Sequence, residues 1–101
     1  MELRAGQKLH SAVCDAQVIV VRASDTFADL RCGGAAMVAL DTERDTSLVL
    51  DPGLSGGAVM GKRYVDDAGS ELLVTKAGAG TLSVGGQPLS LKEAKPLPAS
   101  D

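Results

Sequence analysis

Helical periodicity is scarce in this sequence. Apolar residues recur at positions i, i+3, i+4 and i+7 in few windows, and glycine or proline interrupts most of the others. Short runs of β-branched and other apolar residues occur instead. They are Gln17–Arg22, Phe27–Arg31, Met37–Leu40, Ser47–Leu50, Glu71–Thr75, Gly80–Val84 and Pro88–Leu91. This pattern predicts an all-β fold built from small antiparallel hairpins.

Glycine pairs and one Asp-Pro-Gly triplet mark the predicted turns between these runs. They are Gly33-Gly34, Asp51-Pro52-Gly53, Gly56-Gly57 and Gly85-Gly86. The last pair lies within the stretch from Leu82 to Leu89, which predicts a tight hairpin. Residues 93–101 contain two prolines, which cannot donate to a sheet, so we expect an extended tail there.

The two halves of the chain resemble each other at an offset of 52 residues. Without a gap, six identities fall within the 25 positions from Val13 to Met37. The residues Val13, Asp15, Ala16, Leu30, Gly33 and Gly34 fall on Val65, Asp67, Ala68, Leu82, Gly85 and Gly86. A β unit of about 30 residues is too small to bury its own apolar face, so we expect two such units to pack together. The predicted domain therefore comprises unit one (about 9–40), a linker (about 41–60), unit two (about 61–92) and the tail (93–101).

Composition limits the classes of partner that the chain can bind. Its 101 residues are enough for one domain, with ten basic residues, thirteen acidic residues and a net charge of -3. Two aromatic residues and a negative net charge provide neither a stacking surface nor a basic patch, so we expect no nucleic-acid partner. No apolar run approaches the ~18 residues of a membrane span, and the N-terminus lacks a signal-peptide pattern. We therefore expect no membrane partner and a cytoplasmic location.

The two cysteines, Cys14 and Cys32, are the candidate functional residues. In the cytoplasm they would be reduced thiols by default. If Cys14 ends one arm of a hairpin and Cys32 follows the returning strand, the two sulfurs lie close together, since hairpin arms are neighbours. Gly33 and Gly34 would allow a tight turn after Cys32 and direct amide groups at a thiolate, which stabilises the thiolate.

The residues around these cysteines resemble the desulforedoxin fold, which also forms the N-terminal domain of desulfoferrodoxin. That family has a Cys-x-x-Cys motif, a β-branched strand, a Gly-rich loop, and a short strand that ends in Cys-Cys and is followed by Gly and Met. On this pattern Ser11 and Cys14 occupy the Cys-x-x-Cys positions, and Cys32 and Gly33 occupy the Cys-Cys pair. Met37 falls on the family's methionine. Unit two carries Arg63, Asp66, Val84 and Gly85 at the four ligand positions, and none of these is a thiol.

The resemblance implies a metal site, which the missing cysteines restrict. In that family four thiolates hold one iron or zinc ion, commonly in a dimeric protein. Only two remain here, which excludes a four-cysteine site within one chain. The expected site is therefore an iron, zinc or Fe–S centre held by Cys14 and Cys32. His10, a carboxylate such as Asp15, or a second subunit would supply the further ligands.

Three functions remain open from the sequence. The leading hypothesis is a small non-enzymatic accessory or carrier protein whose Cys14/Cys32 pair binds the metal across a homodimer. One alternative is a metal-free structural or interaction subunit of a larger enzyme complex, with buried or vestigial cysteines. A further alternative is a thiol/disulfide redox protein. Because His10 is the only histidine and we interpret the glycine stretch Gly53-Leu54-Ser55-Gly56-Gly57 as a turn, we expect no independent enzyme and no catalytic residues.

Overall fold

The protein is all-β, as predicted, with two antiparallel sheets packed together. The computed structural model describes residues 3–43 and 47–92, and the predicted extended tail (93–101) lies outside them. Within these ranges unit one forms β1 (Lys8–His10), β2 (Gln17–Arg22), β3 (Leu30–Cys32), β4 (Ala35–Ala36) and β5 (Val38–Ala39). Unit two forms β6 (Arg63–Val65), β7 (Glu71–Lys76), β8 (Leu82–Val84), β9 (Gln87–Pro88) and β10 (Ser90–Leu91). Two short 3₁₀ helices span Asp25–Asp29 and Pro52–Leu54.

The order of strands in each sheet is symmetric. Strands at equal distances from the two ends of a sheet are equivalent strands of units one and two. The larger sheet has the order β10-β6-β7-β2-β1-β5, and the smaller has the order β4-β3-β8-β9. Each unit therefore contributes three strands to the larger sheet and two to the smaller. The units are interleaved, and each completes both sheets of the other.

An approximate two-fold axis relates the two units. Ile19 pairs with Leu73 at the centre of the larger sheet, and Arg31 pairs with Ser83 at the centre of the smaller. Hydrogen bonds on the two sides of this axis are also equivalent to each other. The Gly33 amide donates to the Thr81 carbonyl at 2.9 Å, and at the equivalent position the Gly85 amide donates to the Asp29 carbonyl at 3.1 Å.

Structurally equivalent residues of the two units are not separated by one constant offset, in contrast to the ungapped sequence repeat. From β3 to β5 the offset is 52 residues, so that the β3–β4 pair Arg31–Ala36 matches the β8–β9 pair Ser83–Pro88. The pair Leu9–Val18, between β1 and β2, instead matches Tyr64–Leu72, which gives offsets of 55 and 54. The sequence identities at Val13, Asp15 and Ala16 are thus out of register with the fold, because Val13 lies in a loop and Val65 in a strand.

Several predicted elements differ from the observed ones. The run 27–31 begins in a 3₁₀ helix and becomes β3 only at Leu30, and 48–50 form no strand. The three-residue strands β1 and β6 were not predicted, because so short a run shows too little alternation. The tight turn at Gly85-Gly86 joins β8 and β9, as predicted. The predicted hairpin of β2 with β3 is wrong, since β2 pairs with β7 and β3 with β8 in different sheets.

The core lies between the two sheets and consists mainly of aliphatic side chains. In β2 Val18 and Val20 are buried, and their equivalents in β7, Leu72 and Val74, are buried as well. The other fully buried large side chains include Leu9, Phe27, Met37, Leu82 and Cys32. No helix in the described ranges is long and apolar enough to cross a membrane.

Candidate thiol site

Cys14 and Cys32 come together although they lie on different elements. Cys14 is in the loop between β1 and β2, and Cys32 is the last residue of β3 in the other sheet. Their Sγ atoms are 3.7 Å apart, and both cysteines are free. Cys32 has no accessible surface, whereas Cys14 is partly exposed. The pair therefore combines a partly exposed cysteine with a fully buried one.

Ser11 shapes the loop that carries Cys14. Its side chain is fully buried, and its Oγ accepts hydrogen bonds from the amides of Val13 and Cys14, both at 3.1 Å. The Ser11 amide donates to the Ala16 carbonyl at 2.8 Å, which closes the base of the loop. A serine hydroxyl that accepts from amides two and three residues later is a common turn former. The sequence thus fixes the backbone at Cys14 through one hydroxyl.

The equivalent loop of unit two closes in the same manner but is one residue shorter. Asp66 follows β6 as Ser11 follows β1, and its Oδ1 accepts from the amides of Ala68 at 3.0 Å and Ser70 at 2.9 Å. The Asp66 amide donates to the Ser70 carbonyl at 3.1 Å. Unit two therefore retains a side chain that accepts hydrogen bonds from the loop amides, but it has no cysteine in this loop.

Two glycines of unit two allow the chain to close over the thiol pair. A Cβ on Gly80 would lie 2.8 Å from Cys32 Sγ and 2.8 Å from the Gly33 amide nitrogen. A Cβ on Gly78 would collide with the backbone of Ala16. The site is therefore formed by both units, and the Gly78–Gly80 backbone packs directly against it.

The surroundings of Cys14 favour its thiolate. Burial alone would raise the pKa of Cys14. Hydrogen bonds from the Ser11 hydroxyl, from the backbone at Ala16 and Gly80, and from Cys32 outweigh burial and hold the pKa of the Cys14 thiol below its ordinary value. Cys14 is thus the cysteine whose deprotonation the site favours.

The surroundings of Cys32 favour its protonated form. Burial, together with the negative charge of the adjacent Cys14, raises the pKa of Cys32 to about 12. A protonated Cys32 can donate a hydrogen bond to the Cys14 thiolate across the 3.7 Å gap. The two thiols therefore differ in how readily they lose a proton.

The other predicted site residues lie elsewhere or act differently. His10 Nε2 is hydrogen-bonded with the Thr42 carbonyl at 2.9 Å. Among residues 3–43 and 47–92, no three His, Cys, Asp or Glu side chains form a group that could hold a metal ion, so His10 does not join the cysteine pair. Gly33 and Gly34 form the turn after β3 with positive φ angles. The Gly33 amide donates to Thr81 rather than to a thiolate.

The roles of Ser11 and Gly80 were not predicted from the sequence. Ser11 was placed only at a family ligand position, and Gly80 was assigned only to the start of the predicted run Gly80–Val84. The spacing Ser-x-x-Cys at Ser11 and Cys14 was the one available signal, because a serine three residues before a cysteine can accept its amide hydrogen.

Comparisons of the chain with protein-family models, with curated proteins and with solved structures found no match. The inference about function therefore depends on the geometry of the site.

Proposed function

We propose that the Cys14–Cys32 pair is a dithiol centre that exchanges electrons with a partner disulfide. The observation that carries this proposal is the 3.7 Å separation of a partly exposed sulfur from a fully buried one. A disulfide requires an S–S distance of about 2.0 Å, so a movement of less than about 2 Å would join them. The lowered pKa of Cys14 and the raised pKa of Cys32 support a division into attacking and resolving thiols.

The exchange proceeds in two steps. The Cys14 thiolate attacks one sulfur of the partner disulfide, and the other sulfur leaves as a thiolate and takes up a proton. Cys32 then loses its proton and attacks Cys14 Sγ, which forms the Cys14–Cys32 disulfide and releases the second partner sulfur as a thiolate. The two thiols of this protein are oxidised, and the partner disulfide is reduced by two electrons.

The first step prepares the second. While Cys14 is a thiolate, its charge contributes to the high pKa of Cys32. In the mixed disulfide Cys14 carries no charge, so this contribution is lost and Cys32 deprotonates more readily. This order of events suits a cytoplasmic protein, because disulfides in that compartment are mostly transient or catalytic.

Anaerobic exchange with a small disulfide tests this function. Reduced protein is mixed with cystamine, and the products are trapped with acid and analysed by mass spectrometry. We expect the wild-type protein to pass to an internal disulfide and the Cys32→Ser variant to stop at a mixed disulfide on Cys14. A wild-type protein that accumulates the mixed disulfide as much as Cys32→Ser does would contradict a resolving role for Cys32.

A metal centre shared by two copies is a second candidate, favoured by the same distance. Tetrahedral zinc with Zn–S bonds of about 2.3 Å separates its sulfurs by about 3.8 Å, close to the observed 3.7 Å. The described residues supply two thiols and no third ligand, so a second subunit would have to supply the others. This candidate corresponds to the desulforedoxin-like site with Ser11 and Gly33 in place of two cysteines.

Metal analysis distinguishes the two candidates. The shared centre predicts one iron or zinc ion per two chains in protein purified anaerobically, together with a dimer that dissociates when a chelator is added. Metal-free protein that forms the internal disulfide would exclude the shared centre and leave the dithiol centre.

A further inference from the structure

The segment that joins the two units passes beside the Cys14 loop. The Asp51 amide donates to the Gly33 carbonyl at 3.0 Å, which ties this segment to the turn after β3. A Cβ on Gly33 would collide with methyl groups of both Leu50 and Val13, so these two side chains meet above the glycine. Val13 is the residue before Cys14. Leu50 therefore forms part of the rim of the thiol site.

The residues before Leu50 are aliphatic and exposed. Leu48 retains 43% of its surface and Val49 retains 82%. Single exposed aliphatic residues are ordinary on protein surfaces. Here two of them precede the residue that packs beside the Cys14 loop, so they extend the apolar rim outward. We refer to Leu48, Val49 and Leu50 as the aliphatic rim.

Acidic residues flank the same opening. Asp15 follows Cys14 and is exposed, and the exposed Asp51 follows the aliphatic rim. The Asp51 side chain lies against Gly34, in the turn that follows Cys32. The chain as a whole carries a net charge of -3. Arg31 lies at the same turn, where its guanidinium donates to the Gly34 carbonyl at 3.4 Å, and its charge is paired with Asp29. A ligand beside the aliphatic rim therefore meets apolar surface and the two acidic side chains Asp15 and Asp51.

We propose that the aliphatic rim docks a polypeptide whose disulfide is flanked by apolar and basic side chains. This inference rests on the proposed dithiol function. Attack by Cys14 requires the partner disulfide to reach the loop, which brings residues beside that disulfide against Val49 and Asp15. Apolar side chains that cover the aliphatic rim remove apolar surface from water, which favours binding. Basic side chains are attracted by the carboxylates. A small anionic disulfide covers no part of the aliphatic rim and is not attracted by the carboxylates.

Exchange rates with matched peptide disulfides test the inference. Three synthetic peptides carry the same disulfide, flanked by Leu and Lys, by Leu and Glu, or by Gly and Ser, and cystamine serves as the small probe. We expect the Leu/Lys peptide to react at least tenfold faster than the Gly/Ser peptide. Val49→Ser should remove most of this preference while leaving the rate with cystamine unchanged.

Two further variants complete the test. Leu91→Ser is the control, because Leu91 is also an exposed aliphatic residue (46%, against 82% for Val49) but lies on β10, three strands away from β2. It should retain the preference for the Leu/Lys peptide. Asp15→Asn should reduce the difference between the Leu/Lys and Leu/Glu peptides.

The outcomes separate the docking inference from the function on which it rests. Equal rates for all peptides, or a preference unchanged by Val49→Ser, would overturn docking at the aliphatic rim while the dithiol function stands. An absence of exchange with cystamine as well as with every peptide would overturn both.

Discussion

Ile19 of β2 faces Leu73 of β7 across the centre of the larger sheet. The two residues occupy equivalent positions in their units and are both partly buried. Their pairing lies on the approximate two-fold axis, so a change at either residue acts on the junction of the two units. This junction also carries the thiol site, because Cys14 belongs to the loop before β2 and Gly80 to the segment after β7.

A double-mutant cycle measures this junction. Because directly opposed side chains in a sheet interact, Ile19→Ala and Leu73→Ala should be non-additive in their free energies of unfolding by about 0.2–1 kcal/mol. Urea denaturation of the two single variants and the double variant gives the coupling. Ile19→Ala combined with Leu91→Ala is the control pair and should be additive. Equal coupling in both pairs would contradict a local contact between Ile19 and Leu73.

Replacing Ser11 should affect both the stability of the loop and the chemistry of Cys14. Ser11→Ala removes the acceptor for two amides and should lower the free energy of unfolding by about 1–3 kcal/mol. It also removes a hydrogen bond that favours the thiolate, so the pKa of Cys14 should rise. The pH dependence of the rate of alkylation at Cys14 reports this pKa.

Ser55→Ala is the matched control for Ser11. The Ser55 hydroxyl also bonds to backbone, but it is exposed and lies outside the thiol site. It should leave the alkylation profile of Cys14 unchanged. An unchanged profile in Ser11→Ala as well would show that its hydroxyl does not act on Cys14.

Gly80→Ala tests the close approach of unit two to the thiols. The added methyl group would press on Cys32 Sγ and on the Gly33 amide, and overpacking of this kind costs about 1–3 kcal/mol of stability. Gly86→Ala is the control, because its Cβ would meet no atom within 4 Å and its φ is not positive. Thermal denaturation of both variants provides the comparison. Equal stabilities would contradict the tight packing at Gly80.

Stability should fall in alkaline solution because of Cys32. Its pKa in the folded protein is about 12, above the ordinary value of 9.0 that we expect in the unfolded chain. Between these values the unfolded chain releases the Cys32 proton while the folded protein retains it, so rising pH favours unfolding. The expected loss from this group is up to about 1.4 kcal/mol per pH unit, absent below pH 9.

Urea denaturation of the wild-type protein and of Cys32→Ser between pH 8 and about pH 11 isolates this effect. All other ionisable groups are common to both proteins, so the difference between the two stability curves belongs to Cys32 and its influence on Cys14. Cys14 acts in the opposite direction, because its lowered pKa adds stability as the pH rises toward 9.0. Parallel curves above pH 9 would contradict the raised pKa of Cys32.

The fold class was accessible from the sequence, whereas the pairing of strands was not. Alternation and turn residues identified β2, β7 and the Gly85-Gly86 hairpin, because these signals are local. The partner of β2 depends on a contact with β7 more than fifty residues away in the chain. The sulfurs are close, as expected from a β2–β3 hairpin, but the hairpin does not exist. They meet because the β1–β2 loop of the larger sheet lies against the end of β3 in the smaller sheet.

Only part of the site could be predicted from the sequence, because the rest depends on contacts between residues far apart in the chain. Cysteine chemistry identified Cys14 and Cys32, and the proximity of their sulfurs follows in the structure. The difference between their pKa values depends on which sulfur is buried and which amides face it, and Gly80 comes from the other unit. No local pattern near Cys14 or Cys32 carries that information.

Oxidation of the reduced protein tests the central claim most directly. The protein is incubated anaerobically with diamide, which accepts two electrons from a dithiol, then unfolded in acid and analysed for free thiols and for disulfide-linked peptides. The account predicts that both thiols disappear together within single chains, through a Cys14–Cys32 disulfide that reduction reverses. Two thiols that remain free under these conditions, or disulfides that form only between chains, would contradict it.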